Sequence, residues 1–188
     1  MVQIRWTLAA LVIAGVAGLV RADDDKAAKP AEAPKTVAVD FRKLKELMPA
    51  ELEGLKRTEN NGEKNTFGAV SMSTAKAQYK KSKDQDDEKE PSIGVEIVDY
   101  GGVEMAKGLA MAWTMAEVDK ESDSGYEKTV KVKGNPGMET WEKEGKRGKV
   151  QMLVGSRFIV NLETTNIPSE KVIKIAESLP LDKIAALK

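Results

Sequence analysis

Apolar and polar residues alternate along two stretches in the middle of the chain, as they do in β-strands with one buried face. Residues 92–100 place an apolar side chain at every second position: Ile93, Val95 and Ile97. Residues 66–79 are rich in Ala, Thr, Ser and Val, and their alternation predicts a second, longer strand. Residues 80–90, which lie between them, are almost all charged and predict a solvent loop. These patterns together predict a β-hairpin around a charged loop.

The last third of the chain predicts four more strands. They cover residues 126–133, 138–144, 149–154 and 157–163. Short turns that contain glycine separate them, of which Gly155-Ser156 is a two-residue hairpin turn. Strands joined by turns this short pair antiparallel, so this region predicts a β-meander.

Three stretches carry a helical pattern. Asp40 is suited to N-cap a helix over residues 41–48, which Pro49 ends. Residues 103–118 gather apolar side chains on one half of the helical wheel: Met105, Leu109, Ala112, Trp113 and Ala116. Residues 168–179 predict a last helix, which ends before Pro180.

The order of these elements predicts an α+β fold. A short helix, a hairpin, a long helix, a meander and a final helix are best accommodated by one antiparallel sheet of about six strands with helices packed on it. Residues 40–188 form this single domain in our interpretation, and the apolar side chains they offer are sufficient for one core.

Two short motifs suggest a relationship. Gly54-Leu55 follows the first helix, and Arg157-Phe158-Ile159-Val160 leads through a strand to the terminal helix. In this arrangement the chain resembles uncharacterised exported bacterial proteins with a Mog1/PsbP-like fold, over about residues 40–188. The resemblance implies a binding or accessory role, because known members of that fold are mostly not enzymes. It brings no catalytic motif with it.

The N-terminus has the pattern of an export signal. Arg5 precedes an uninterrupted apolar run over residues 6–20, which is shorter than the roughly 20 residues that span a bilayer. Small residues flank Arg21, so we place signal cleavage after Ala22 and the signal peptide at residues 1–22. Residues 23–39, rich in Ala, Pro and Lys, predict a disordered tether. An uncleaved membrane anchor is the alternative interpretation.

The composition excludes several kinds of chemistry. The 188 residues contain no Cys and no His, which rules out disulfides, thiolate or imidazole catalysis and the usual zinc, copper and haem ligands. The 30 basic and 30 acidic side chains balance, whereas a nucleic-acid binder needs a basic face. We therefore predict no cofactor, no metal and no nucleic-acid partner, with membrane contact only through the signal segment.

The acidic loop is the first candidate site that we considered, here for calcium. Its acids are Asp84, Asp86, Asp87, Glu88 and Glu90. An EF-hand loop that begins at Asp84 needs Gly at its sixth position and Glu at its twelfth, where this chain has Lys89 and Val95. Four lysines in the same loop also repel a cation, so we interpret it as a solvated loop.

Asp99 and Glu104 are the nearest approach to a catalytic carboxylate pair. They flank the Gly101-Gly102 step between a predicted strand and a predicted helix. Glycoside hydrolysis needs two pocketed carboxyl groups about 5–10 Å apart, and nothing in this spacing requires such a pair. Capping of the helix start by Asp99 is the plainer interpretation, so we assign no catalytic residue.

Four residues are candidates for binding. Met111 and Met115, on either side of Trp113, are suited to an adaptable protein-binding surface, although core packing is the default interpretation of such residues. Trp141, with Arg157 near it, is suited to stack on a sugar or an aromatic ligand, and the alternative is a tryptophan packed on the sheet.

From these observations we expect an exported, periplasmic or extracellular protein that binds a protein or a small ligand and is not an enzyme. Two alternatives stay open. One is a carboxylate-based enzyme that acts on an envelope or extracellular polysaccharide. The other is a membrane-anchored assembly subunit that keeps its signal segment.

Overall fold

A computed structural model describes residues 37–68, 70–84, 89–101, 108, 111–113, 115 and 117–188. The first half of these residues contains α1 (Phe41–Glu46), β1 (Glu51–Leu52), β2 (Leu55–Phe67), β3 (Val70–Lys80) and β4 (Ser92–Asp99). The second half contains β5 (Asp119–Ser122), β6 (Gly125–Val132), β7 (Asn135–Glu142), a 3₁₀ turn (Glu144–Lys146), β8 (Arg147–Val154), β9 (Phe158–Thr165), α2 (Ser169–Ser178) and α3 (Leu181–Ala185).

All nine strands belong to one antiparallel sheet, in the order β1-β2-β3-β4-β9-β8-β7-β6-β5. Strands β1 to β4 form one meander and β5 to β9 form another. The two meanders meet in the middle of the sheet, where β4 pairs with β9. We call this junction the central seam.

The predicted fold class is wrong. The described residues form a mostly-β fold with nine strands and few short helices, and not an α+β fold with six strands. The strands that the pattern missed are β1, β2 and β5. β1 has only two residues and every residue of β5 is exposed, so neither shows an apolar alternation. β2 is long but polar, and it contains Asn60-Asn61-Gly62, residue types that are typical of turns.

The alternating strands were predicted, although the strand expected at residues 66–79 begins four residues too early and includes the end of β2. β3 and β4 form the expected hairpin around the charged loop, with Ala75 opposite Ile97 and Ala77 opposite Val95. Four of the five strands of the second meander, β6 to β9, lie within a few residues of their predicted bounds. An apolar residue at every second position was sufficient to predict each strand that buries the whole of one face.

One face of the sheet carries the core, and α1 and α2 pack on it. Its buried side chains come from the central strands: Ala75, Ala77, Tyr79, Ile93, Val95, Ile97, Val150, Met152, Val154, Phe158, Val160 and Leu162. Two glycines let the helices approach. A Cβ on Gly62 would lie 2.6 Å from the Phe41 ring, and one on Gly148 would lie 2.5 Å from Val172. We call this side the core face.

The opposite side, which we call the open face, is polar along its middle. Four side chains form a continuous row across adjacent strands: Lys76, Glu96, Asn161 and Gln151. Lys76 pairs with Glu96 at 2.9 Å, and amide hydrogen bonds of 2.9 Å link Asn161 to Glu96 and Gln151 to Asn161. Because each group in the row has a partner on the next strand, the row joins four strands of the sheet.

Helices begin largely where the sequence indicated. Asp40 caps α1 by accepting a hydrogen bond from the Arg42 amide, which holds the pKa of the Asp40 carboxyl below its usual value. α2 and α3 occupy the region of the predicted terminal helix and the turn after it. Most of the predicted helix at 103–118 lies outside the described residues, and the predicted signal segment lies wholly outside them.

Tyr79 gives the fold a measurable dependence on pH. Its ring is fully buried and its hydroxyl donates a hydrogen bond to the Pro49 carbonyl, 3.0 Å away. Burial raises the pKa of Tyr79 to about 12. The unfolded phenol ionises near pH 10, so its contribution to stability is complete below pH 10 and is lost as the pH rises to about 12.

We therefore expect Tyr79→Phe to flatten the alkaline limb of the stability curve. Between pH 9 and 12 the free energy of unfolding of the variant should fall by about 2 kcal/mol less than that of the parent protein, since phenylalanine has no proton to lose. Urea denaturation at closely spaced pH values measures both curves. Parallel curves would show that the ionisation of Tyr79 is not linked to folding.

Candidate functional site

Four small or flexible apolar residues lie exposed on one side of a helical segment. Gly108, Met111, Ala112 and Met115 are all helical and exposed, and they follow the spacing i, i+3, i+4, i+7 that defines one helix face. The side chains of Met111 and Met115 are 62% and 74% exposed. We call these four residues the methionine stripe.

Trp113 anchors the same segment to the sheet. It is half-buried and packs with Tyr100 against Leu153 and Ile159 on the open face. Burial raises the pKa of the Tyr100 hydroxyl, and the negative charge of Glu96 adds to this effect. Since Trp113 points to the sheet while the two methionines are exposed, the stripe lies on the outer side of the segment.

A buried ion pair lies at the end of the central seam. The carboxylate of Asp99 is fully buried and receives two hydrogen bonds of 2.7 Å from the Arg157 guanidinium, one to each oxygen. The Val39 and Gly101 amides donate the other two, at 2.7 and 2.8 Å. The hydrogen bond to Asp99 raises the pKa of Arg157 above its ordinary value. This geometry is the bidentate one in which arginine binds a carboxylate most strongly.

This arrangement assigns Asp99 a structural role. Both of its oxygens are engaged by fixed donors, which leaves neither suited to take a proton from a substrate or to attack one. Glu104, the second member of the candidate carboxylate pair, lies outside the described residues. The hydrogen bond from the Gly101 amide shows that Asp99 orders the turn after β4, and the helix start that we expected Asp99 to cap lies outside the described residues.

Trp141 and Arg157 do not share a site. Trp141 pairs with Gly148 near one end of β8, and Arg157 follows the opposite end of that strand. At about 3.3 Å per residue the two positions are about 20 Å apart. A stacking site that uses both side chains is therefore not available.

Trp141 belongs to a different cluster, on the core face. It is partly buried and stacks on Tyr126 with ring centroids 6.2 Å apart. The Tyr126 hydroxyl donates to the buried carboxylate of Glu139 at 2.8 Å, and Lys128 Nζ lies 3.2 Å from the other oxygen. Burial and the bond to Glu139 raise the pKa of Tyr126. The indole Nε1 of Trp141 is buried and has no hydrogen-bond partner among the described residues.

The clefts among the described residues are shallow and mixed in charge. One of about 390 Å³ lies over β7, β8 and β9, where Lys149 and Glu163 pair at 3.6 Å. Another of about 320 Å³ lies beside Tyr126 and Trp141. In the described ranges no three acidic side chains converge as metal ligands would. Within the same ranges no helix is long and apolar enough to cross a membrane.

Sequence reasoning named Met111, Met115 and Asp99, but it did not foresee that the carboxylates of Asp99 and Glu139 are buried. The alternating pattern of each strand already placed both acids on the buried face of the sheet. Asp99 occupies the next inward position after Ile97, and Glu139 lies between Gly137 and Trp141 on the core face. A carboxylate at an inward position needs a cation or several donors, and this requirement points to Arg157 and Lys128.

Comparison with known proteins gives no match for this chain among family models, curated sequences or solved structures. The resemblance to proteins with a Mog1/PsbP-like fold is thus neither supported nor refuted.

We expect Arg157→Met to lower the free energy of unfolding by about 3–5 kcal/mol, because the variant leaves the buried Asp99 without its compensating charge. Urea denaturation of the purified protein measures the change. The matched control is Lys149→Met, which removes an exposed ion pair with Glu163 and should cost less than about 1 kcal/mol. Equal losses in the two variants would contradict the role that we give to the buried pair.

Proposed function

We propose that this chain is an exported, non-enzymatic binding protein that holds a partner protein through the methionine stripe. The observation that carries the proposal is the exposure of Met111 and Met115, one helical turn apart, on a segment whose other side is anchored by Trp113. Exposed apolar side chains that adjoin one another favour association with another apolar surface. Methionine is suited to this because its unbranched chain adapts to the shape of its partner.

A helix is the occupant that best fits the stripe. Gly108 and Ala112 lie one turn apart and have little or no side chain, so a second helix can approach closely alongside the row of the two methionines. The i, i+3, i+4, i+7 spacing matches the way amphipathic helices present their anchors. A small ligand is a poorer candidate, because the described clefts are lined by other residues.

The sequence supports export. An apolar run over residues 6–20 precedes a small-residue cleavage site, and the chain has no cysteine that would depend on oxidative folding. The predicted tether at residues 23–39 would then act as a spacer ahead of the folded domain, except for its last residues, because Ala38 and Val39 are buried in the domain.

The partner should be identified by photo-crosslinking in the native host, with a crosslinking amino acid placed at position 111 or 115. Binding of the purified pair is then measured by titration calorimetry. We expect Met111→Glu together with Met115→Glu to weaken binding at least tenfold. Each methionine contributes about 1.5–3 kcal/mol when buried, and a tenfold change corresponds to about 1.4 kcal/mol.

Val70→Glu provides the matched control. Val70 is also an exposed apolar residue, 44% accessible at the tip of the β2–β3 hairpin, and its change to an acid should leave binding unaltered. The double methionine variant and the Val70→Glu variant should both unfold at the same denaturant concentration as the parent protein. If crosslinks form only between copies of this chain, the stripe is a self-association surface and the partner proposal is wrong.

The export proposal has a separate test. Mass spectrometry of the protein isolated from its native host should find an N-terminus at Asp23, as expected when a signal peptidase cuts after a small residue. A protein that retains Met1 would instead support the membrane-anchored alternative. Replacing Ala22 with Tyr should block cleavage, because the peptidase pocket accepts only small residues at this position.

A further inference from the structure

Side chains hold the three residues that lead into α1 as a binding site holds a peptide. Five polar side chains contact the backbone of residues 37–39, and each comes from a distant part of the chain. Arg157 donates to the Val37 carbonyl, Ser71 accepts from the Ala38 amide, Lys64 donates to the Ala38 carbonyl, Asp99 accepts from the Val39 amide, and Ser73 donates to the Val39 carbonyl.

These contacts satisfy the peptide groups in a manner unlike that of a β-sheet. Within residues 37–39 both polar atoms of Ala38 and of Val39 are engaged, and every partner is a side-chain atom. A strand in a sheet would use the neighbouring backbone for the same purpose. Recognition of backbone atoms carries little sequence information, so a groove built in this way accepts extended peptides in general.

The side chains of the segment add a size requirement. Ala38 and Val39 are 2% and 6% exposed, so their positions are enclosed by the domain. Val37 is 64% exposed and projects into solvent. The groove therefore selects a small residue followed by a medium apolar one, and it places no restriction on the residue before them.

We propose that this groove is a peptide-binding site, which the chain's own residues 37–39 occupy and from which an extended peptide with the same small–apolar pair can displace them. The site is separate from the methionine stripe. Its five contacts come from β2, β3, β4 and the β8–β9 turn, so they remain in place when the segment leaves. The groove is thus built by the body of the domain.

Displacement exchanges like for like, because an incoming peptide would make the same five hydrogen bonds with the groove. Three of the five partners are charged, so their hydrogen bonds contribute about 1.5–3 kcal/mol each and the neutral ones about 1 kcal/mol. The tethered segment nevertheless competes well with a free peptide, since a short link gives it an effective concentration of the order of millimolar. A free peptide should therefore bind strongly only to a protein whose own segment has been expelled from the groove.

Ala38→Glu should expel it, because the groove has no space and no solvent for a carboxylate at that position. We expect the full-length variant to bind a fluorescent peptide with the sequence of residues 34–40 at least tenfold more tightly than the parent protein does. Fluorescence anisotropy measures both affinities. Val37→Glu is the matched control, since the same change at an exposed position should leave the segment seated and peptide binding as weak as in the parent.

A folded Ala38→Glu protein that binds the peptide no better than the parent would overturn the proposal. Circular dichroism establishes whether that variant folds. If it does not, hydrogen exchange of the parent protein decides the question. The amides of Ala38 and Val39 should exchange at least a hundredfold faster than that of Ile97 in the core, because the segment leaves without global unfolding. Equal rates would show that it is a permanent part of the fold.

Discussion

A carboxylate that is shielded from water must be met by fixed donors, and in this protein the requirement at Asp99 organises one whole end of the sheet. Arg157 meets it from the β8–β9 turn, 58 positions away in the chain, while Val39 meets it from the segment before α1. A single side chain thereby ties the segment before α1 to the end of the central seam, where Asp99 lies opposite Phe158. Removal of either charge leaves the other partly or wholly buried, so the pair constrains the fold even where its net contribution to stability is small.

The sequence was informative where one face of a strand is buried throughout its length. The alternation of apolar residues predicts β4, because every inward side chain of this strand lies in the core: Ile93, Val95 and Ile97. β2 lies against α1 over part of its length only, so its sequence carries few apolar residues. It is a strand because it pairs with β3 over its length, and backbone hydrogen bonds leave no trace in composition. The count of six strands, and with it the α+β class, was wrong for this reason.

The candidate site also combines a feature that the sequence predicts with features that it does not. Helical spacing placed Met111 and Met115 on one face, and this local property could be predicted from the sequence. Whether that face lies outward depends on Trp113 meeting Leu153 and Ile159, which belong to strands more than 35 positions further on. Trp141 and Arg157 looked close because both follow short turns of the same meander, but one strand length separates them. The groove that holds Val39 draws on four separate elements, and no local pattern could reveal it.

The central seam has a consequence for the order in which the protein assembles. Within each meander, neighbouring strands are joined by short connections, so their pairing requires the closure of small loops. The seam instead pairs residues such as Glu96 and Asn161, which are 65 positions apart. Closing so large a loop costs more chain entropy, and non-local pairing of this kind slows folding. Two preformed halves that dock late along β4 and β9 are the route that this topology favours, and ribosomal synthesis would complete the first half before the second exists.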